Sequence, residues 1–397
     1  MTFQYGGRKQ KRRSTIIWVG LFIFAVYIMI TLYSAYSLLE NTSGKQKRQE
    51  RGVLAKSTLS TEIFEVEVWG KAAIGLYFWE HIMEGNLKSK ETDLVRLGEK
   101  IIDNVKFSFR TGPGIIPQTV PKNSQNVILI LNGRVREKIK FAEMWLKSLQ
   151  MLPNIKNVAV ILLGNEQCNN NWLLPYMVKQ GGLVNIAYIV YDIPNQGNTI
   201  FQWPLGVATY RNFPKVILSE SDISHHRQYM CNFLGTVYPN SSRETLQKIF
   251  YEHKLYTICY LRLRETWQPT ESKETANEYY HALLHSDLTL SPVGVNTECY
   301  RLYEACSYGS VPVVEDIQTP GNCLNTPLKL LKYYNAPFIY LKSWAELPEI
   351  LEKEKQLTLE QKIQRRENLL RWYWKFKRKL QQSFVVQIKR SFFSYLE

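Results

Sequence analysis

Aspartate is scarce in this 397-residue chain: Asp93, Asp103, Asp192, Asp222, Asp287 and Asp316 are the only six, and no two stand within two positions of each other. That excludes the Asp-x-Asp pair with which many nucleotide-sugar enzymes hold a divalent cation against a diphosphate. Glu220-Ser221-Asp222 is the nearest imitation, with no convincing buried strand before it. Histidine is equally sparse, and His225-His226 lacks a second ligand cluster at metal-site spacing, so it reads as an exposed loop pair. No metal and no other obligatory cofactor is expected. Six cysteines are too few for a disulfide-built miniprotein, and internal repeats are missing. What is present is apolar: 45% hydrophobic and 13% aromatic residues exclude global disorder and suffice for two α/β domains.

The net charge of +15 belongs to the ends. Residues 1–60 hold ten Lys/Arg against two Glu, residues 351–397 twelve against five, and the body between them balances. A neutral body argues against a nucleic-acid partner. Ser14–Leu39 carries no charge over 26 residues, long enough to cross a hydrocarbon core of about 30 Å and too long for the apolar part of a cleaved signal peptide. Arg8 to Arg13 before the run favour a cytoplasmic tail at 1–13, an anchor at 14–39 and a polar stem at 40–60, hence a single-pass type II protein. Of two sequons, Asn41 lies too close to the bilayer to be expected as modified, and Asn240 is the expected glycosylation site.

From residue 61 the pattern is strand, helix, strand. Val127–Leu131, Val158–Leu163 and Val184–Tyr191 are β-branched runs suited to strands buried on both faces, with a helix over Lys138–Leu149. Phe201 to Pro214 interrupts this rhythm and divides an N-terminal domain (61–214) from a C-terminal one (215–355). There, strands are predicted at Cys231–Gly235, Tyr256–Leu261, Asp287–Ser291, Val311–Glu315 and Phe338–Leu341, with a helix from about Ser242 to His253. Residues 356–397 form a helical tail whose Trp372, Tyr373, Trp374 and Phe376 are suited to dock on the body. The fold class is α/β, two doubly wound Rossmann-type domains with a cleft beyond the carboxyl ends of their strands.

Residues 286–316, SDLTLSPVGVNTECYRLYEACSYGSVPVVED, carry the most information. A strand ends near Ser291, and Asn296 or Thr297 is a good helix cap. Leu302, Tyr303 and Cys306 line up with Cys299 as a buried stripe, and Gly309 is placed to stop the helix in a left-handed conformation. A helical Cys299–Cys306 segment would also hold these two thiols beyond disulfide reach. Strand, loop and helix start together suit a diphosphate, with Arg301 for a phosphate contact and Glu304 for ribose hydroxyls. The same spacing equally suits a surface ion pair between Arg301 and Glu304.

The pattern Arg301, Glu304, Ala305, Gly309, Pro312 and Val313 resembles the donor domain of exostosin-like glycosyltransferases. With residues 69–85, 201–214, 231–236 and 291–316, it is similar to the family of xylosyltransferases acting on ribitol phosphate, from about residue 66 onward. The resemblance implies a GT-B pair of domains in a type II Golgi membrane protein. It implies UDP-xylose as donor and β-linked transfer with inversion to ribitol 5-phosphate on the O-mannosyl glycan of α-dystroglycan, with other transferases of that route as partners. It places Glu304 on the ribose and Gly294, Asn296, Thr297 and Arg301 around the diphosphate. The residues alone leave open another UDP-sugar, or a membrane-anchored scaffold without activity.

An inverting transfer needs a general base. Asp192 directly follows the 184–191 strand and is the first choice; Glu166, three residues after the 158–163 strand, is the second. Either would equally cap a helix or pair with a cation. A phosphate-bearing acceptor calls for a cationic wall, for which Arg134 after the 127–131 strand is placed, although a solvated turn would look the same. Trp203 and Tyr210 are suited to pack on sugar rings or to plug the junction between domains. His81 shares a helical face with Ile74, Tyr77, Phe78 and Ile82 and reads as a core histidine.

Overall fold

Runs of β-branched and other apolar residues form the strands Asn126–Asn132, Asn157–Leu163 and Val184–Val190 of one sheet and Val311–Glu315 of a second. In the computed structural model, residues 63–89, 94–191, 198–268, 270–323 and 328–393 are described. The expected tail, anchor and stem, Asn41 and Asp192 lie outside the described residues. Among the described residues no helix is long and apolar enough to cross a membrane.

The first sheet contains β1 (Phe64–Gly70), β2 (Lys88–Ser89), β3 (Arg96–Ile102), β4 (Val105–Thr111), β5 (Asn126–Asn132), β6 (Asn157–Leu163), β7 (Val184–Val190) and β8 (Ile200–Trp203). Their order is β2-β3-β4-β1-β5-β6-β7-β8. β3 runs antiparallel to both neighbours, and the other pairs are parallel. β5 and β6 correspond to the expected runs. β1 and β4 alternate apolar and polar residues, and β4 is buried at every second position. The β3–β4 turn closes on Asp103-Asn104, both at positive φ, as a two-residue hairpin loop demands.

The second sheet is wholly parallel: β9 (Tyr229–Thr236), β10 (Cys259–Arg264), β11 (Ser286–Ser291), β12 (Val311–Glu315) and β13 (Ile339–Leu341), in the order β10-β9-β11-β12-β13. The chain reverses its winding between β9 and β11, the place where such folds bind ligands. The strand expected at Tyr256 starts only at Cys259. Lys254 enters the left-handed region and Leu255–Thr257 make a 3-10 turn first. The architecture is α/β with Rossmann-like sheets, the first mixed and the second parallel.

Helix α1 (Arg136–Ser148) follows β5, α2 (Ser242–Glu252) follows β9, α3 (Lys273–Leu284) follows β10, and α4 (Tyr300–Ser307) lies between β11 and β12. The last helix, α5 (Leu359–Phe393), is 35 residues long and braces both sheets. Near its start Arg366 pairs with Asp287 on β11, and further along Gln381 donates to the carbonyl of Ile82. At its end Phe393 stacks on Phe64 of β1. Tyr373 and Phe376 are buried and Trp372 partly so, whereas Trp374 faces solvent.

Two disulfides close different distances. Cys231–Cys259 ties neighbouring strands β9 and β10, and Cys168–Cys323 joins segments 155 residues apart. Cys299 and Cys306 are both free; the spacing excluded only a bond between these two, and Cys299 stands at the cap of α4 rather than inside it.

Candidate functional site

A cavity of about 310 Å³ opens where the carboxyl ends of both sheets face each other. The second sheet contributes Leu234–Thr236 from the end of β9, Arg264 from the end of β10, and Tyr300, Arg301 and Glu304 from α4. The first sheet contributes Arg134 after β5 and Glu166 after β6, and the linking segment adds Ala208, Tyr210 and Arg211. Arg134, Glu166, Arg301 and Glu304, 170 positions apart at their extremes, thus share one space.

Glu304 is buried rather than part of a surface ion pair. It accepts a hydrogen bond from the Tyr279 hydroxyl at 2.7 Å and one from the backbone N–H of Ala208 at 3.0 Å. Burial raises its carboxyl above the ordinary range, opposed by these two donors and by Arg301 and Arg211. Arg301 does not reach Glu304 as an ion pair. It donates to the carbonyl of Leu234 at 2.8 Å, and its guanidinium lies 4.9 Å over the Phe233 ring.

Arg243, on the first turn of α2, stands beside it. Burial, then the charge of Arg301, depress its basicity. It donates to the carbonyl of Thr236 at 2.8 Å. Neither arginine has a carboxylate within ion-pair distance among the described residues, and the Nε of each is buried without a partner. Two glycines make room for them. A Cβ on Gly235 would come within 3.2 Å of Arg301 Nη2, and one on Gly294 within 2.9 Å of Arg243 Nη2. Gly294 therefore serves this pair by lacking a side chain, although it does not line the cavity.

The other expected donor residues are not in the cavity. Helix α4 starts at Tyr300, later than the caps at Asn296 and Thr297 anticipated. Asn296 Oδ1 accepts from the N–H of Glu298, and its Nδ2 donates to the carbonyl of Glu166 at 2.7 Å. Thr297 donates to the carbonyl of Ile317 at 3.0 Å. Both side chains are buried and committed to holding loops, so neither is free for a diphosphate.

On the opposite wall Arg134 and Glu166 form an ion pair. Burial opposes the charge on Arg134, yet Glu166 keeps its guanidinium above the usual basicity. A third cluster closes the rim. Glu271 accepts from Arg211 at 2.9 Å and from Arg264 at 2.8 and 2.7 Å. Arg211 also lies between the rings of Tyr210 and Trp267, both exposed.

Trp203 leaves the acceptor assignment. It is 2% exposed, packed among Phe78, Tyr188 and Phe384 in the core where the last helix crosses, so no sugar reaches it. Tyr210 remains on the cavity. His81 is half-buried on a π-helical turn (Tyr77–Ile82) and stacks on Tyr77; burial, then Lys377 and Lys215, push its imidazole down to about 4. His225 is partly covered, in ring contact with His285, so only His226 of that pair is fully exposed. Asp222 closes a capping box with Ser219 at the start of a short helix. Asn240 is exposed in a left-handed turn before α2. Sequence reading missed Arg243, Tyr279, Arg211 and Trp267, whose local patterns carry no signal; only the cleft brings them together.

Known protein domains match the chain in two parts. A family model described as RXYLT1 N-terminal domain matches residues 66–204, and one described as RXYLT1 C-terminal domain matches 210–393. The chain is 50% identical over 351 residues to ribitol-5-phosphate xylosyltransferase 1 of Homo sapiens, an alignment covering 86% of this chain and 79% of that one. The Danio rerio protein of the same name is 48% identical over 361 residues, covering 88% and 83%. The Mus musculus one is 48% identical over 368 residues, with the same coverage. The matched spans take in both walls of the cavity and the helix that braces them, and the chain belongs to the ribitol-5-phosphate xylosyltransferase 1 family.

Proposed function

We propose that the chain transfers xylose from UDP-xylose, with inversion to a β linkage, to ribitol 5-phosphate on the O-mannosyl glycan of α-dystroglycan. The observation that carries the donor half is the Arg243–Arg301 pair: two adjacent cavity guanidiniums, without carboxylate partners, beside a buried carboxylate. A nucleoside diphosphate offers two charges to the pair and ribose hydroxyls to Glu304. The relatives' names support xylose transfer and ribitol 5-phosphate as the acceptor; the α-dystroglycan glycan rests on the motif resemblance.

In this reading the acceptor phosphate engages Arg134 and draws it from Glu166. The freed carboxylate accepts the proton of the attacking hydroxyl. The hydroxyl oxygen bonds to the anomeric carbon from the face opposite the nucleotide, the bond from that carbon to the diphosphate oxygen breaks, and UDP departs with the electron pair. Arg243 and Arg301 stabilise its charge, the work a divalent cation would otherwise do, so no metal is obligatory. The two sheets and their shared cavity then correspond to a GT-B arrangement. The body resides in the Golgi lumen behind the charge-free run at 14–39, alongside other transferases of the same route.

The test is transfer by full-length protein in detergent to a ribitol-phosphate-capped glycopeptide, with UDP-xylose, UDP-glucuronate, UDP-glucose or UDP-N-acetylglucosamine, each with and without EDTA. Xylose transfer that survives EDTA is expected. Transfer of another sugar would overturn the donor assignment, and abolition by EDTA the metal-free one.

A further inference from the structure

The loop that carries Glu166 is joined to the opposite wall at every residue from 166 to 169. The carbonyl of Glu166 accepts from Asn296 Nδ2 at 2.7 Å, and that of Gln167 from the backbone N–H of Asn322 at 2.8 Å. Cys168 is bonded to Cys323, and Asn169 Oδ1 accepts from Asn322 Nδ2 at 2.6 Å. Gly321, at φ +113°, lies so close that a Cβ there would stand 2.6 Å from the Gln167 carbonyl. Within its own wall, Asn165 donates to the carbonyl of Arg134 at 2.7 Å and takes the N–H of Gln167 at 2.9 Å. Within one wall the backbone of the Glu166 loop is thus tied to that of Arg134, and the loop is tied to the opposite wall by bonds that cross the cleft.

We propose that the Cys168–Cys323 disulfide and Asn296 are positioning elements for the Glu166 carboxylate, which makes transfer, but not donor binding, dependent on an intact thiol crosslink. The proposal rests on the reading of Glu166 as the base. The physical reason is the tolerance of proton transfer: a general base must stand within hydrogen-bond reach of the hydroxyl it serves. Residues 164–170 lie between β6 and the next 3-10 turn, so no strand or helix of its own holds Glu166 in place. In this reading the donor-binding Arg243 sits on α2, and Arg301 and Glu304 on α4. Neither helix carries a crosslinked cysteine; Cys323 meets the loop before α4, through Asn296 at 3.9 Å, so the donor geometry is expected to survive loss of the bond.

The experiment uses full-length protein in detergent, compared with Asn296→Ala and with the paired Cys168→Ala/Cys323→Ala. UDP affinity and the donor KM are expected to stay within about twofold while kcat falls about 100-fold, the scale of an ångström misplacement. A phosphine reductant should lower kcat of the wild type in the same way and leave the paired cysteine variant without further loss, which separates this bond from Cys231–Cys259. Hydrogen exchange supplies a readout independent of activity: amides of 164–170 should exchange faster in the paired variant, with those of β9 and β11 unchanged. Retained kcat, or unchanged exchange at 164–170, overturns the proposal. So does joint loss of UDP binding and kcat, the mark of a general brace. Wild-type protein that binds UDP yet transfers to no acceptor would strike the transfer reading, and exchange at 164–170 would still decide the proposal.

Discussion

The two walls of the cleft hold their charge in opposite ways. On the second-sheet wall Arg243 and Arg301 stand together with no carboxylate partner among the described residues, held by backbone carbonyls and an aromatic face. On the first-sheet wall Arg134 is closed on Glu166. Like charges kept side by side and partly out of water are costly unless an anion completes them, and the proposed diphosphate would do so. Arg134 and Glu166 are a pair at rest, which in the proposed reading opens before either member serves a substrate. On that reading the donor binds without rearrangement, and the acceptor exchanges an ion pair to enter.

Removing the resting pair's carboxylate should produce the largest change. Glu166→Gln keeps the shape and removes the proposed base, so kcat should fall by about 10²–10⁴-fold while titration calorimetry shows UDP binding intact. Equal loss of UDP affinity would erase the distinction between walls. Next come the unpaired arginines. Arg301→Ala and Arg243→Ala should each weaken UDP by about 10–100-fold, the worth of a hydrogen bond to a charged group, and a preserved affinity for either would break the proposed donor site. Arg134→Ala should raise the acceptor KM by about tenfold through loss of one charged contact, with the donor KM unmoved.

A smaller effect concerns stability. Glu298 is buried just before α4, where it accepts from Tyr303 and from the N–H of Leu205 at 2.9 Å and leaves Oε2 unpartnered. Burial raises its carboxyl from 4.5 to about 7, against those two donors. Between these values the folded protein holds a proton that the unfolded chain has released. Stability therefore declines as pH rises across that window and levels off above it. The unfolding midpoint should drop by about 2–4 °C across this window, and Glu298→Gln should flatten the slope when both are followed by calorimetry.

Most central strands were readable because burial on both faces leaves a local trace: β5, β6, β7 and β12 coincide with apolar runs, whereas β9 and β11 bury Asn232, Ser286, Asp287, Thr289 and Ser291 among their apolar residues. The signal weakens where one face is wet. β1 and β4 alternate, β3 is half polar, and a short run such as β8 is lost among neighbouring aromatics. Helix α4 shows the same limit within a few residues. Its stripe and its stop at Gly309 follow from local geometry, with φ at +67° as required. Its start does not, because Asn296 and Thr297 are drawn away by Glu166 and Ile317 across the fold.

Side chains divide along the same line. A tryptophan and a tyrosine seven positions apart, Trp203 and Tyr210, look alike as sugar platforms, yet one is walled in by Phe384 from the last helix and the other lines the cavity. Composition and spacing by themselves determined the α/β class, the neutral body between basic ends, the charge-free run and the Arg301–Glu304 segment, because each rests on neighbours in the chain. Tertiary structure alone decided that Arg243 joins Arg301, that Arg134 closes on Glu166 and that Cys168 meets Cys323. Each of these contacts joins residues from different elements, and only the folded packing of two sheets brings them within bonding distance.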